Sequence, residues 1–210
     1  MSDTTWVPFS ILEPFVLDVF KSMGLPQLDA EICRDVLLDA DLKGLDTHGI
    51  NRLKPVYYDR VLKGKQKPVT ELELIRVGPT TAVFDAHNGM GMIAAHRSME
   101  TAIEKAKEYG LGMVVVRNST HFGIAGYYAE MASKQGVLGI SGTNARPSIA
   151  PTFGVEPMLG TNPLTFSFPT DEEFPFTLDC ATSIIQRGKV EVAARNGKQL
   201  ATGLVTDAEG

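Results

Sequence analysis

Apolar residues recur at three- and four-residue spacing through the first third of the chain, and alternation replaces that spacing further on. Leu12, Phe15, Val16, Val19, Phe20 and Met23 line one helical face, stopped by Gly24 and Pro26. Ile32, Val36, Leu37 and Ala40 continue a second helix from near Leu28, with Gly44 just past its end. A polar, turn-prone stretch from Leu45 to Leu53 precedes another helical segment closed by Gly64. From Glu71 the period drops to two: Glu71 to Val77 and Thr81 to Asp85 read as strands joined by the turn Gly78-Pro79-Thr80. Met92 to Tyr109 then reads as a helix, Met113 to Val116 as a strand, and Ala125 to Lys134 as a further helix. Three strands follow, Val137 to Ser141, Leu164 to Phe168 and Phe176 to Asp179, with a long loop from Thr143 to Pro163 after the first. The pattern predicts a helical unit over residues 1–70 and an α/β unit over residues 71–210.

Composition narrows the class. The chain has 210 residues, 43% of them apolar and 21% charged, the make-up of an ordinary folded protein with one domain or two small ones. Twenty basic against 25 acidic side chains leave a net charge of −5 and no basic footprint, so no nucleic-acid partner is expected. Cys33 and Cys180 have no metal-ligand spacing, so no metal is expected, and two isolated thiols fit a reducing cytosol. Met1 to Pro8 lacks a basic segment followed by an apolar run, and no apolar stretch could span a bilayer. A cytoplasmic protein with no membrane partner is expected.

Candidate chemistry sits in the polar turns. Gly89-Met90-Gly91-Met92-Ile93-Ala94 matches a dinucleotide fingerprint, in which glycines admit a pyrophosphate to a helix N-terminus. Against that reading, the preceding strand belongs to a hairpin, and the next one ends in Val116-Arg117 with no acidic residue for a ribose. His48 lies in Asp46-Thr47-His48-Gly49, with Arg52 four residues on. An imidazole can move a proton near neutral pH, and a guanidinium can clamp a carboxylate. A plain capping turn built on Asp46 or Thr47 accounts for the same letters. His121, in Ser119-Thr120-His121-Phe122-Gly123, sits between a strand and a helix, where α/β proteins place ligand groups. Gly160-Thr161-Asn162-Pro163 and Leu178-Asp179-Cys180-Ala181-Thr182-Ser183, followed by Arg187-Gly188-Lys189, are small polar clusters that let a flat group approach, and they are also ordinary turn chemistry.

Taken in order, these four motifs resemble the non-Rossmann malate/L-lactate dehydrogenase family, which also holds ureidoglycolate dehydrogenase, diketogulonate reductase, sulfolactate dehydrogenase and piperideine-carboxylate reductase. The similarity runs from about residue 10 to the last residue. It implies an α/β NAD(P)-binding domain on a mostly antiparallel mixed sheet with flanking helices, plus the helical N-terminal unit. It also implies that the chain is truncated at its C-terminus, because family members continue beyond Gly210. The fingerprint at residues 89–94 would then be a coincidence. By the same resemblance His48 is the proton donor and acceptor, Thr47 its hydrogen-bonding neighbour, and Arg52 the clamp for the substrate carboxylate, with Thr161 a second substrate contact. His121, Phe122, Gly123, Ile124 and Ala125 match a cofactor-contacting segment, and the position of His121 has itself been proposed as the catalytic base in some members. Asp179, Cys180 and Ala181 match a stretch lining the cofactor. Lys189 stands where the imine-reducing branch has an aspartate, which points to the hydroxy-acid branch. The implied activity is NAD- or NADP-dependent oxidation of a small 2-hydroxy acid, malate or lactate first, in a homodimer. A ureidoglycolate- or diketogulonate-type oxidoreductase and an inactive or assembly-only subunit stay open.

Overall fold

The computed structural model of the protein describes residues 6–207 and 209, so the leader reading of Met1 to Pro8 and the chain end at Gly210 fall partly outside it. Helices α1 (Phe9–Ser22) and α2 (Gln27–Leu42) form where the apolar spacing predicts them. Gly44 beyond α2 takes φ +70°, the left-handed conformation that lets Leu45 N–H reach the Ala40 carbonyl. Between Gly49 and Gly64 the backbone winds in three gauges: a tight turn at Ile50–Arg52, a wide π-type turn at Leu53–Tyr58, and α3 (Asp59–Leu62). Pro55 lies within the wide segment. It has no N–H to donate and its ring crowds the preceding turn, which favours the wider winding.

Strands β1 (Glu73–Val77) and β2 (Thr81–Asp85) form the expected antiparallel hairpin. Helix α4 (Gly91–Tyr109) then crosses over to β3 (Met113–Arg117), which pairs with β2 in parallel. After α5 (Ala125–Ser133) come β4 (Gly139–Gly142), β5 (Leu164–Phe168) and β6 (Phe176–Cys180), all antiparallel. The expectation of one mostly antiparallel sheet is therefore corrected: the strands form two three-stranded sheets, one mixed and one antiparallel. The parallel pair follows from the helical crossover, since a chain that returns through a long helix re-enters the sheet in the same direction. A second correction is α6 (Arg187–Arg195), where the sequence suggests only a polar turn.

The apolar core draws on α1, α2, the wide turn, α4 and α5: Val16, Phe20, Val36, Leu37, Tyr57, Met92, Ile93 and Tyr128 pack in one cluster. The second sheet is built the other way round. Its face toward α5 carries Thr165 and Ser167, both fully buried, and Ser167 bonds Ser133 of α5 at 2.7 Å and Thr177 at 3.0 Å. Its opposite face exposes Ile140, Leu164, Phe168, Phe176 and Leu178. Among the described residues no helix is long and apolar enough to cross a membrane.

Candidate active site

Two segments far apart in sequence meet over the core. Tyr57, fully buried, packs edge-on against Phe20 and presents its hydroxyl to His121 Nδ1 at 2.8 Å. His121 stacks on His48, ring centroids 5.7 Å apart with planes at 22°. Gly123 N–H also donates to His121 Nδ1, at 3.2 Å. That nitrogen is therefore an acceptor, and the neutral ring carries its proton on Nε2. Burial, the neighbouring His48 and the Arg60 and Arg52 charges hold the His121 imidazole down to about 3, so the ring is neutral at any physiological pH.

His48 is anchored by Thr47 Oγ1 at 2.7 Å from its Nδ1. Burial and the Arg52 guanidinium lower its pKa, while the Asp179 carboxylate pulls the other way. The turn that carries it depends on Gly49. An alanine Cβ there would fall among the carboxylate atoms of Asp41, which accepts the Ile50 N–H at 2.7 Å. Arg52 is aimed by its own backbone neighbourhood: Nε donates to the Thr47 carbonyl at 2.5 Å. Its Nη1 donates to Glu191 of α6 at 2.9 Å.

Asp179, at the end of β6, accepts Gly126 N–H at 2.7 Å and Thr165 Oγ1 at 2.7 Å, which caps the N-terminus of α5. Cys180 and Ala181 follow it in sequence, Cys180 exposed with its Sγ 3.7 Å from the Leu164 carbonyl and Ala181 half-buried. Gly123, Ile124 and Ala125 are buried, and Phe122 stacks on Tyr128 with centroids 5.2 Å apart, so this segment supports the histidine from within. The Thr161 carbonyl accepts from Thr182 N–H at 2.9 Å and Thr182 Oγ1 at 3.2 Å, which ties its backbone to the turn after β6. Lys189 lies exposed in the first turn of α6.

The turn at residues 89–94 does connect parallel strands, yet the N–H groups of Gly89, Met90 and Gly91 are already taken, the first by the Ala86 carbonyl. Met90 N–H donates to Thr70 Oγ1 at 2.8 Å and Gly91 N–H to Thr120 Oγ1 at 2.9 Å. The Gly91 Cα faces the 120–121 backbone so closely that its glycine serves packing rather than a pyrophosphate. Sequence reasoning missed Tyr57, Asp41 and Glu191. Tyr57 lies among core apolars, Asp41 ends an amphipathic helix, and Glu191 sits where no helix was expected. The spacing Arg187 to Glu191, four residues on one helical face, was the available signal.

Two stacked imidazoles, one neutral and one with a free ring nitrogen, beside a guanidinium equip an α/β chain for acid–base chemistry on a small carboxylate. The chain belongs to the malate/L-lactate dehydrogenase family, whose profile matches residues 7–210. It is 46% identical over 204 residues to a malate dehydrogenase of Pyrococcus horikoshii, covering 97% of this chain and 56% of that protein. It is 43% identical to an L-sulfolactate dehydrogenase of Methanocaldococcus jannaschii, over 93% of this chain and 56% of that one. The crystal structure of malate dehydrogenase from Entamoeba histolytica superposes with a TM-score of 0.92 at 50% identity, covering 95% of this chain and 55% of that chain. The chain thus spans just over half the length of the relatives it matches.

Proposed function

We propose that this chain carries the proton-handling and carboxylate-binding part of an NAD(P)-dependent 2-hydroxy-acid dehydrogenase, acting on malate/oxaloacetate or lactate/pyruvate. The observation that carries the reading is the His48–His121 stack with Arg52 beside it. The named activities of the relatives, malate and sulfolactate dehydrogenases and an NADP(+)-dependent 3-sulfolactate enzyme, support a 2-hydroxy acid and a nicotinamide cofactor. Toward the nicotinamide end of such a cofactor the chain offers Asp179, whose charge reaches His48, with the exposed Cys180 and the half-buried Ala181 next in sequence, while the N-termini of α4 and α5 are filled from within the chain. A bound nicotinamide supplies the hydride acceptor.

In this reading Arg52 holds the substrate carboxylate and so fixes the reacting carbon near the histidines. His48 takes the hydroxyl proton through its Nε2, a ring nitrogen with no partner among the described residues, and the lowered pKa keeps it deprotonated and ready at neutral pH. His121 donates its Nε2–H to the developing carbonyl oxygen in the neutral state, and Tyr57 holds that ring in orientation. We place the protein in the cytosol, where Cys33 and Cys180 stay free thiols, and expect a homodimer.

The test is consumption of NADH or NADPH by the chain with oxaloacetate or pyruvate. Turnover with either acid supports the reading. Cofactor binding without turnover points to a dinucleotide-holding module, and no binding at all points to an assembly-only role.

A further inference from the structure

Every edge of the Arg52 guanidinium is engaged from within the chain. Its Nε donates to the Thr47 carbonyl at 2.5 Å and its Nη1 to Glu191 Oε2 at 2.9 Å. The third nitrogen, Nη2, faces Gly188, where a Cβ would stand 3.1 Å away. A guanidinium grips a carboxylate best with two parallel N–H groups, from Nε and Nη2 or from Nη1 and Nη2. Each of those edges includes a nitrogen already bonded to Thr47 or Glu191. An acid that arrives in the paired geometry must therefore take the place of one of these two acceptors.

The two acceptors are held differently. The Thr47 carbonyl is main chain, in the turn that carries His48, and cannot leave without moving the histidine. Glu191 is a side chain with a second partner, since its other oxygen accepts from Arg187 Nε at 2.8 Å, one helical turn back. Burial pushes the Glu191 carboxyl up, but the hydrogen bonds from Arg187 and Arg52 outweigh it and hold it below the usual carboxylate range, so it is charged at neutral pH. Leaving Arg52 does not strand that charge. Helix α6 is also lightly seated. Ile185 just before it is buried, but no residue of α6 itself is, and the helix meets the 47–52 turn through Gly188 against Thr47 and Glu191 on Arg52.

We propose that Glu191 is a positioning residue that acts as a placeholder for the substrate carboxylate: it occupies and aims Arg52 until an acid arrives, then gives way to it and stays with Arg187. One carboxylate replaces another on the same cation, so the guanidinium, only 17% exposed, is not left uncompensated. The exchange involves the one carboxylate that every 2-hydroxy acid carries, so it applies to acids with and without a second anionic group. This rests on the reading of Arg52 as the substrate clamp.

The test is a ligand-observed NMR titration of the whole 210-residue chain with L-malate and with L-lactate. NADH or NADPH is present, because a reduced cofactor and a 2-hydroxy acid form a complex that cannot exchange hydride. Glu191→Gln keeps the shape and removes the competing charge, and should tighten both acids about three- to fivefold, the range of a partly exposed ion pair. Arg187→Gln removes the second partner, keeps Glu191 on Arg52, and should weaken both acids at least about twofold. With Gln already at position 191, Arg187→Gln should have no further effect on either acid. Weaker binding of both acids by Glu191→Gln would make Glu191 a support for Arg52 and overturn the inference. Unchanged affinity overturns it too, as does loss of L-malate alone in Arg187→Gln, which would make Arg187 a direct substrate contact; each leaves the dehydrogenase reading intact. If neither acid binds wild type or any variant, the inference falls together with the reading of Arg52 beneath it.

Discussion

Replacing Gly91 by alanine separates two explanations of the glycine-rich turn. The new Cβ would press into the Thr120 carbonyl and lie 2.6 Å from the His121 carbonyl oxygen. Non-bonded heavy atoms rest at about 3.5 Å, so the 120–121 backbone would have to retreat by about 1 Å. Both obstacles are main-chain atoms, and no change of rotamer relieves them. The retreat breaks the bonds from Gly91 N–H to Thr120 Oγ1 (2.9 Å) and from Thr120 Oγ1 to the Gly89 carbonyl (2.8 Å). Each such bond contributes about 1 kcal/mol, and overpacking adds about 1–3 kcal/mol, for a loss of about 3–5 kcal/mol. At about 2–4 °C per kcal/mol for a chain of this size, Tm should fall by about 10 °C. Gly110→Ala is the control: φ is +82° and nothing lies within 4 Å of the new Cβ, so only backbone strain of about 1–2 kcal/mol is paid there. Thermal melts followed by circular dichroism read both variants. A Gly91→Ala melt within about 2 °C of wild type would refute the packing argument, and retained stability with lost dinucleotide binding would restore the phosphate reading.

Three further outcomes follow from the histidine stack and its supports. Tyr57→Phe removes the hydroxyl that holds His121 Nδ1; we expect a stability loss of about 1 kcal/mol by urea unfolding and a kcat/KM drop of about tenfold, and unchanged kinetics would remove Tyr57 from its orienting role. Gly49→Ala displaces the Asp41 carboxylate from Ile50 N–H, with an expected cost of about 2–4 kcal/mol in the same unfolding assay; a wild-type midpoint would contradict it. His121 is held down to about 3 in the folded chain from an ordinary 6.5, so between those values the unfolded chain binds the proton and the folded chain does not. Stability from this group is complete above about pH 6.5 and is lost as pH falls toward 3, by at most about 1.4 kcal/mol per pH unit. His121→Gln should flatten the slope of unfolding free energy between pH 6.5 and 5, and an identical slope in both proteins would refute the assignment.

Periodicity made most of the elements legible, because helices α1, α2, α4 and α5 each bury one apolar stripe and their terminal glycines have a geometric reason. Topology was less legible. The strand-helix-strand order of β2, α4 and β3 carries the parallel pairing, but the hairpin with β1 drew attention to one edge of β2 and hid the other. The alternation Leu164-Thr165-Phe166-Ser167-Phe168 shows a strand without showing which face is covered, and here the hydroxyl face packs against α5. Of the site, His48, Arg52 and His121 stand out because polar residues in turns are visible against an apolar background. Tyr57 and Glu191 do not, since one looks like core and the other like a solvated helix face. Their roles come from contacts across 64 and 139 residues of sequence, which no local pattern encodes.

The central claim is that His48 moves the proton while other groups bind. His48→Asn keeps a polar side chain in the turn and removes the titrating ring, and turnover and cofactor affinity are measured on the same preparation. The account predicts a fall in kcat of about a hundredfold or more, with cofactor Kd within about threefold of wild type. Turnover within about threefold of wild type would contradict it and leave the proton to another group.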